Sequence, residues 1–175
     1  MIILTLIKKL LIIILMISCG ISDTQRLFHL SRQLSFCNLK INLQETQKRY
    51  SNLADILQCL HLDIVCETEK LPQSQLMVAN LLIEYIGYDA FVRAVNIINP
   101  EYISCVIQIN TDEEMWVSDS PYIHAFDGLD EIHHQMESDV LNEKMNSIGF
   151  KLILQDMTEL PNSKALVRLD YQKMI

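Results

Sequence analysis

A chain of 175 residues, half of them hydrophobic, carries enough apolar side chain for one domain with a real core. Its net charge is −8, and residues 94–143 hold eleven Asp and Glu with no Lys or Arg, which excludes nucleic acid as a ligand because phosphates demand positive charge. Four Gly and four Pro in the whole chain argue against a small all-β protein built on tight turns.

The first segment is apolar up to Ile17, broken by Thr5 and the pair Lys8–Lys9. The lysines leave Leu10 to Ile17 as a continuous apolar core, the length of a signal-peptide core behind a positive flank. Ser18 and Gly20 then satisfy the small-x-small cleavage pattern, so residues 1–20 are expected to be a signal peptide and 21–175 one domain. Two rival readings stand beside it. Met16-Ile17-Ser18-Cys19 approximates a lipoprotein signal that would place a lipid on Cys19. An uncut anchor from Ile2 to Ile21 would have to hold two lysines near mid-membrane. Contact with a membrane is expected only through this segment, uncut or lipidated.

An exported chain with four remaining cysteines, Cys37, Cys59, Cys66 and Cys105, suggests two disulfides. If one helix carried Cys59 and Cys66 they would stand about 10.5 Å apart along it, beyond the about 7 Å a disulfide spans. That leaves Cys37–Cys59 with Cys66–Cys105, or Cys37–Cys66 with Cys59–Cys105. No Asn-x-Ser/Thr sequon is present.

Past the leader, residues 23–36 read as a helix with Leu27, Phe28, Leu30 and Leu34 on one side. A longer helix is expected from Leu43 to Ile64, where Leu43, Tyr50, Leu57 and Ile64 recur every seven residues. Residues 73–86 are apolar on nearly all sides, which predicts a central buried helix between Pro72 and Gly87. Asp89 then caps a short helix stopped at Asn99-Pro100, with Phe91, Val92, Val95 and Ile98 inward. The period changes at "YISCVIQI": Ile103, Cys105, Ile107 and Ile109 alternate as in a strand with one buried face. After a long segment without period, residues 128–147 predict a helix ended by Gly149. Phe150, Leu152 and Leu154 mark a second strand, and Ala165, Val167, Leu169 and Tyr171 a third, joined as a hairpin through Pro161-Asn162. The expected fold class is α+β: a helix-rich N-terminal half, then a strand-helix-strand-strand unit forming a small, mainly antiparallel sheet.

For function, residues 110–127 draw attention as a long acidic stretch bearing aromatics. Glu113, Glu114, Trp116, Tyr122 and Phe126 together resemble an anchor-and-rim contact surface, suited to a basic or neutral protein partner. On a helix, Asp130, His134 and Glu137 or Ser138 would share a face and His133 would pair with Glu137, but this is not a His-Glu-x-x-His metal motif, and charged side chains on a solvated helix explain it better. Cys105, His124 and Asp127 could be drawn as a thiol-hydrolase set, yet Cys105 sits mid-strand on the apolar side, where a thiolate is disfavoured. No catalytic, cofactor or metal motif is present. The sequence therefore reads as an exported, non-catalytic binding protein that needs no cofactor. The alternatives are a membrane-tethered lipoprotein or secretion and assembly subunit lipidated at Cys19, and a hydrolase with an unrecognised site.

Overall fold

The structure, a computed structural model, describes residues 10–14, 34–37, 47–55, 57–110, 133–160 and 163–175. Seven strands form one sheet: β1 (Leu10–Ile14), β2 (Leu34–Cys37), β3 (Leu57–Leu60), β4 (Leu76–Asn80), β5 (Tyr102–Asn110), β6 (Phe150–Leu160) and β7 (Lys164–Lys173). Their spatial order is β3-β2-β1-β4-β5-β7-β6. The first five are mutually parallel, and β7 runs antiparallel between β5 and β6. Two helices follow the later strands: α1 (Ile83–Ile98) after β4 and α2 (Ser138–Ser147) after β5.

The expected class, a helix-rich half followed by a small antiparallel sheet, is corrected to a mostly parallel, Rossmann-like sheet that extends through both halves of the chain. The reason is clearest at β4. Leu76, Met77, Val78 and Ala79 are all buried, because a central parallel strand is covered on both faces. A run that is apolar on all sides has the same pattern in a buried helix, and only its length separates the two. The heptad between Leu43 and Ile64 misled in a similar way. Residues 47–49 are helical and Ser51–Leu53 form a 3-10 turn, but Leu57–Leu60 is β3 and the chain from residue 61 to 67 is irregular. At the end of the first expected helix, Leu34–Cys37 is β2, while residues 23–33 lie outside the described set. Leu10–Ile14, the centre of the expected leader, is β1, paired with β2 on one side and β4 on the other.

The disulfide expectation is also corrected. Cys59, Cys66 and Cys105 are free thiols, and Cys37 lies on β2. Both candidate pairings need Cys105, which is fully buried on β5 with Sγ donating to the Leu169 carbonyl at 3.4 Å. Cys59, on β3, lies four strand spacings away in the sheet order, roughly 19 Å at about 4.8 Å per strand. Cys66 is exposed in the loop after β3.

The later elements follow their sequence patterns. On β5, Ile103, Cys105 and Ile107 are buried and alternate with half-buried neighbours. Ala165, Val167, Leu169 and Tyr171 line the buried side of β7, and the hairpin pairs Leu160 with Lys164. Helix α1 presses Phe91, Ala94, Val95 and Ile98 onto this surface, and α2 adds Leu141 and Met145. Helix α1 stops where expected: Asn99 takes the left-handed conformation at φ 51°, its N–H donating to the Val95 carbonyl at 2.8 Å, and Pro100 bars continuation. Helix α2 is shorter than expected, because residues 133–137 are not helical; Gly149 follows its end at φ 85°. Among the described residues no helix is long and apolar enough to cross a membrane.

Candidate functional site

In the sheet order, β2 lies on one side of β1, and β5 lies on the far side of β4. The strand order therefore reverses direction between β1 and β4, which makes the carboxyl ends of these two strands the topological switch point. Open parallel sheets bind their ligands at this switch point. The register aligns Ile14 with Asn80, the last residues of β1 and β4, so these positions mark the switch point.

The chain leaves β4 under strain. Leu81 has φ 50°, left-handed backbone that a branched side chain rarely adopts. Its N–H donates to the Val106 carbonyl at 2.8 Å, which fixes the turn. One helical turn follows, Ile83 to Ile86, and then Gly87 breaks the helix at φ 73°, ψ 164°. That region is open essentially to glycine alone. A Cβ at Gly87 would stand 3.4 Å from Nε2 of His134, so the missing side chain also admits the imidazole.

Glu84 sits in that isolated turn and is only 2% exposed. Its Oε1 accepts a hydrogen bond from the Gln108 N–H at 2.6 Å. β4 has ended by this level of the sheet, and the Glu84 carboxylate supplies the acceptor that the next β4 carbonyl would have given. Oε2 is buried without a hydrogen-bond partner. Burial pushes the carboxyl up to about 7, against the opposing pull of the hydrogen bond from Gln108.

Residues 133–137 are fastened beside this turn. The His134 N–H donates to the Glu84 carbonyl at 2.6 Å. The Tyr88 hydroxyl accepts from the Glu137 N–H at 2.7 Å and donates to the Glu137 carbonyl at 3.2 Å. Gln135 donates from Nε2 to the Asn110 carbonyl at 3.1 Å, tying the segment to the end of β5. The half-buried Tyr85 ring meets His133 edge to face, with centroids 5.7 Å apart. Lys144 on α2 pairs with Asp89 at 2.8 Å and helps hold the two helices together.

Several residues singled out in the sequence fall here, in different roles. His133 and His134 lie in the non-helical stretch 133–137, so the helical pairing of His133 with Glu137 does not form; Glu137 instead occupies the N-cap position of α2. Among the described residues no group of three His, Cys, Asp or Glu side chains could hold a metal ion. Cys19, Asp130 and the acidic aromatic candidates Glu113, Glu114, Trp116, Tyr122 and Phe126 lie outside the described residues, as do His124 and Asp127. Cys105 is walled into the core, and burial drives its thiol far above the ordinary range. Sequence reasoning missed Glu84, although the signal was present: it is the only charged residue in the apolar run from Leu76 to Ile86.

No protein-family model and no curated protein sequence matches this chain. Solved structures do. The N-terminal domain of EvdMO1 with SAH bound superposes with a TM-score of 0.69 at 9% identity, covering 97% of this chain and 76% of that one. The [4+2]-cyclase SpnF gives 0.68 at 10% identity, with 96% and 76% covered. The N-methyltransferase NodS from Bradyrhizobium japonicum WM9 gives 0.62 at 9% identity, with 97% and 87% covered. This likeness runs against the reading of the chain as a non-catalytic binding protein, since the neighbours named for an activity are catalysts. At such low identity the shared property is the fold, the Rossmann-like sheet found in methyltransferases.

Proposed function

We propose that this chain binds an S-adenosyl cofactor in the crevice between β1 and β4 and works as a methyltransferase on a small molecule. The observation that carries the reading is the strand order, with its switch point between β1 and β4 and an antiparallel β7, on a fold whose solved examples include methyltransferases and a domain with SAH bound. The residues at the crevice suit such a ligand. Glu84 leaves one buried carboxylate oxygen without a partner at the carboxyl end of β4, an acceptor for a donor group of the ligand. After β1 the sequence reads Ser18-Cys19-Gly20-Ile21-Ser22, outside the described residues, with small side chains at every second position.

The cofactor would supply a methyl group made electrophilic by its sulfonium. The chain's own residues bind and orient. Leu81 turns the backbone out of the sheet, and Leu82 and Ile83, both buried, exclude water beneath the turn. Glu84 Oε2 holds a proton below about pH 7 and releases it above, so at neutral pH it can accept a hydrogen bond from a bound group. One fold hosts many chemistries, and SpnF is named for cyclisation, so the transfer itself rests on assay.

The test is calorimetric titration of the full chain with S-adenosylhomocysteine. Saturable binding of one molecule per chain is expected, weakened about tenfold or more by Glu84→Gln, the loss of one charge-assisted hydrogen bond. A folded protein that releases no heat and shows no thermal shift with this ligand would overturn the proposal.

A further inference from the structure

We propose that two copies of this chain pair edge to edge through β6, antiparallel about a two-fold axis at Met157, to make one sheet of twice the width. Among the described residues β6 ends the sheet, and every residue from Ile153 to Glu159 is exposed. The exposure includes large apolar side chains: Leu154 is 43% exposed and Met157 60%. A long edge of this kind is a template for another strand. Natural sheets blunt such edges with Pro, charged side chains or bulges; from Leu154 to Leu160 there is no Pro or Lys, the charges are Asp156 and Glu159, and the bulge lies before Leu154.

The occupant follows from the register. A bulge lies between Leu152 and Leu154, so the regular part of the edge is Leu154 to Leu160, the length that pairs with β7 without a shift. A two-fold axis normal to the sheet keeps each residue on its own face, and the sequence selects where that axis falls. About Met157, Leu154 meets Leu160 of the second copy, Gln155 meets Glu159, Asp156 meets Thr158, and Met157 meets itself. Each carboxylate then faces a neutral hydrogen-bond donor, and each apolar side chain faces another. Moved one residue back, the axis sets Asp156 against Asp156. Moved one residue forward, it sets Glu159 against Met157 and Asp156 against Leu160. Opposed like charges and stranded carboxylates destabilise such pairs. The two copies each carry net charge −8, so added salt should tighten the association by screening.

The full chain is examined by sedimentation equilibrium over a range of concentrations and salt. The expected result is a reversible dimer strengthened by sodium chloride and reduced to monomer by Met157→Asp, with circular dichroism unchanged. A second measurement locates the contact. In a Cys66→Ser background, Met157→Cys should give a covalent dimer on mild oxidation, bridged at residue 157 by peptide mass, because axial residues face each other within disulfide reach. Glu159→Cys, four residues out of register with its own copy, should give none. A wild type that stays monomeric at every concentration, a dimer that survives Met157→Asp, or bridging at 159 in place of 157 would each overturn the proposal.

Discussion

Replacing Glu84 by Gln should change how stability depends on pH more than it changes stability itself. The folded protein holds this carboxyl at about 7 against 4.5 for an ordinary glutamate, through burial. The folded state therefore binds the proton more tightly than the unfolded chain. Stability from this residue is fullest below about pH 4.5 and declines as pH rises through 7, by about 3 kcal/mol in all. For a domain of this size that is roughly 6–12 °C in melting temperature. Gln keeps an oxygen for the Gln108 N–H and cannot ionise. The assay is thermal unfolding of wild type and variant side by side, followed by circular dichroism from about pH 5 to pH 8.5, with the difference between them as the readout because other titrating groups cancel. Near pH 5 the variant should equal wild type or fall below it, since its buried amide N–H₂ finds no acceptor. Near pH 8.5 it should gain several degrees on wild type. A difference that stays constant across this range would show that Glu84 does not titrate there and would refute the account of the buried carboxylate.

Three further outcomes are expected. Gly87→Ala should cost about 1–3 kcal/mol, because φ 73° with ψ 164° is closed to alanine; chemical denaturation measures it, and an unchanged midpoint would contradict the backbone assignment. Ellman's reagent should label Cys66 in the native protein and reach Cys105 only after denaturant is added, which peptide mapping can follow. A chain lacking residues 1–20 should fail to fold, because it loses β1 and with it the pairing that joins β2 to β4; a cooperative melt from that truncated chain would show the sheet does not need Leu10–Ile14.

The second half of the chain was more legible than the first, for reasons visible in single strands. β5 and β7 each bury one face, so "YISCVIQI" and Ala165 to Tyr171 alternate with period two, and strand was the only reading. β4 buries both faces and erased its own period, while β3 is only four residues long and sits among leucines that mimic a heptad. β1 was the hardest strand to see, since a short apolar strand behind two lysines shares the composition of a signal-peptide core. Once the parallel strands were misread, the switch point could not be found, because it exists only where the strand order reverses direction. Glu84 gave a local clue as a lone acid among apolar residues, but its role depends on the N–H of Gln108, twenty-four residues away. The kink at Gly87 was half legible: glycine marked a boundary, and the structure makes it a bend between a single turn and the rest of α1.

The position of β7 governs the order in which this sheet can be completed. β5 and β6 are not hydrogen-bonded neighbours; both pair with β7, which follows them in the chain. Until that segment emerges, β5 displays an unsatisfied edge of nine residues and β6 lacks the strand it pairs with along its length. A nascent chain in this state presents Ile103, Ile107 and Phe150 to whatever it meets, and late long-range closure lengthens the exposure. β7 thus acts as a keystone: without it β6 loses its hydrogen-bonded partner and one edge of β5 stands open to chaperones or to aggregation.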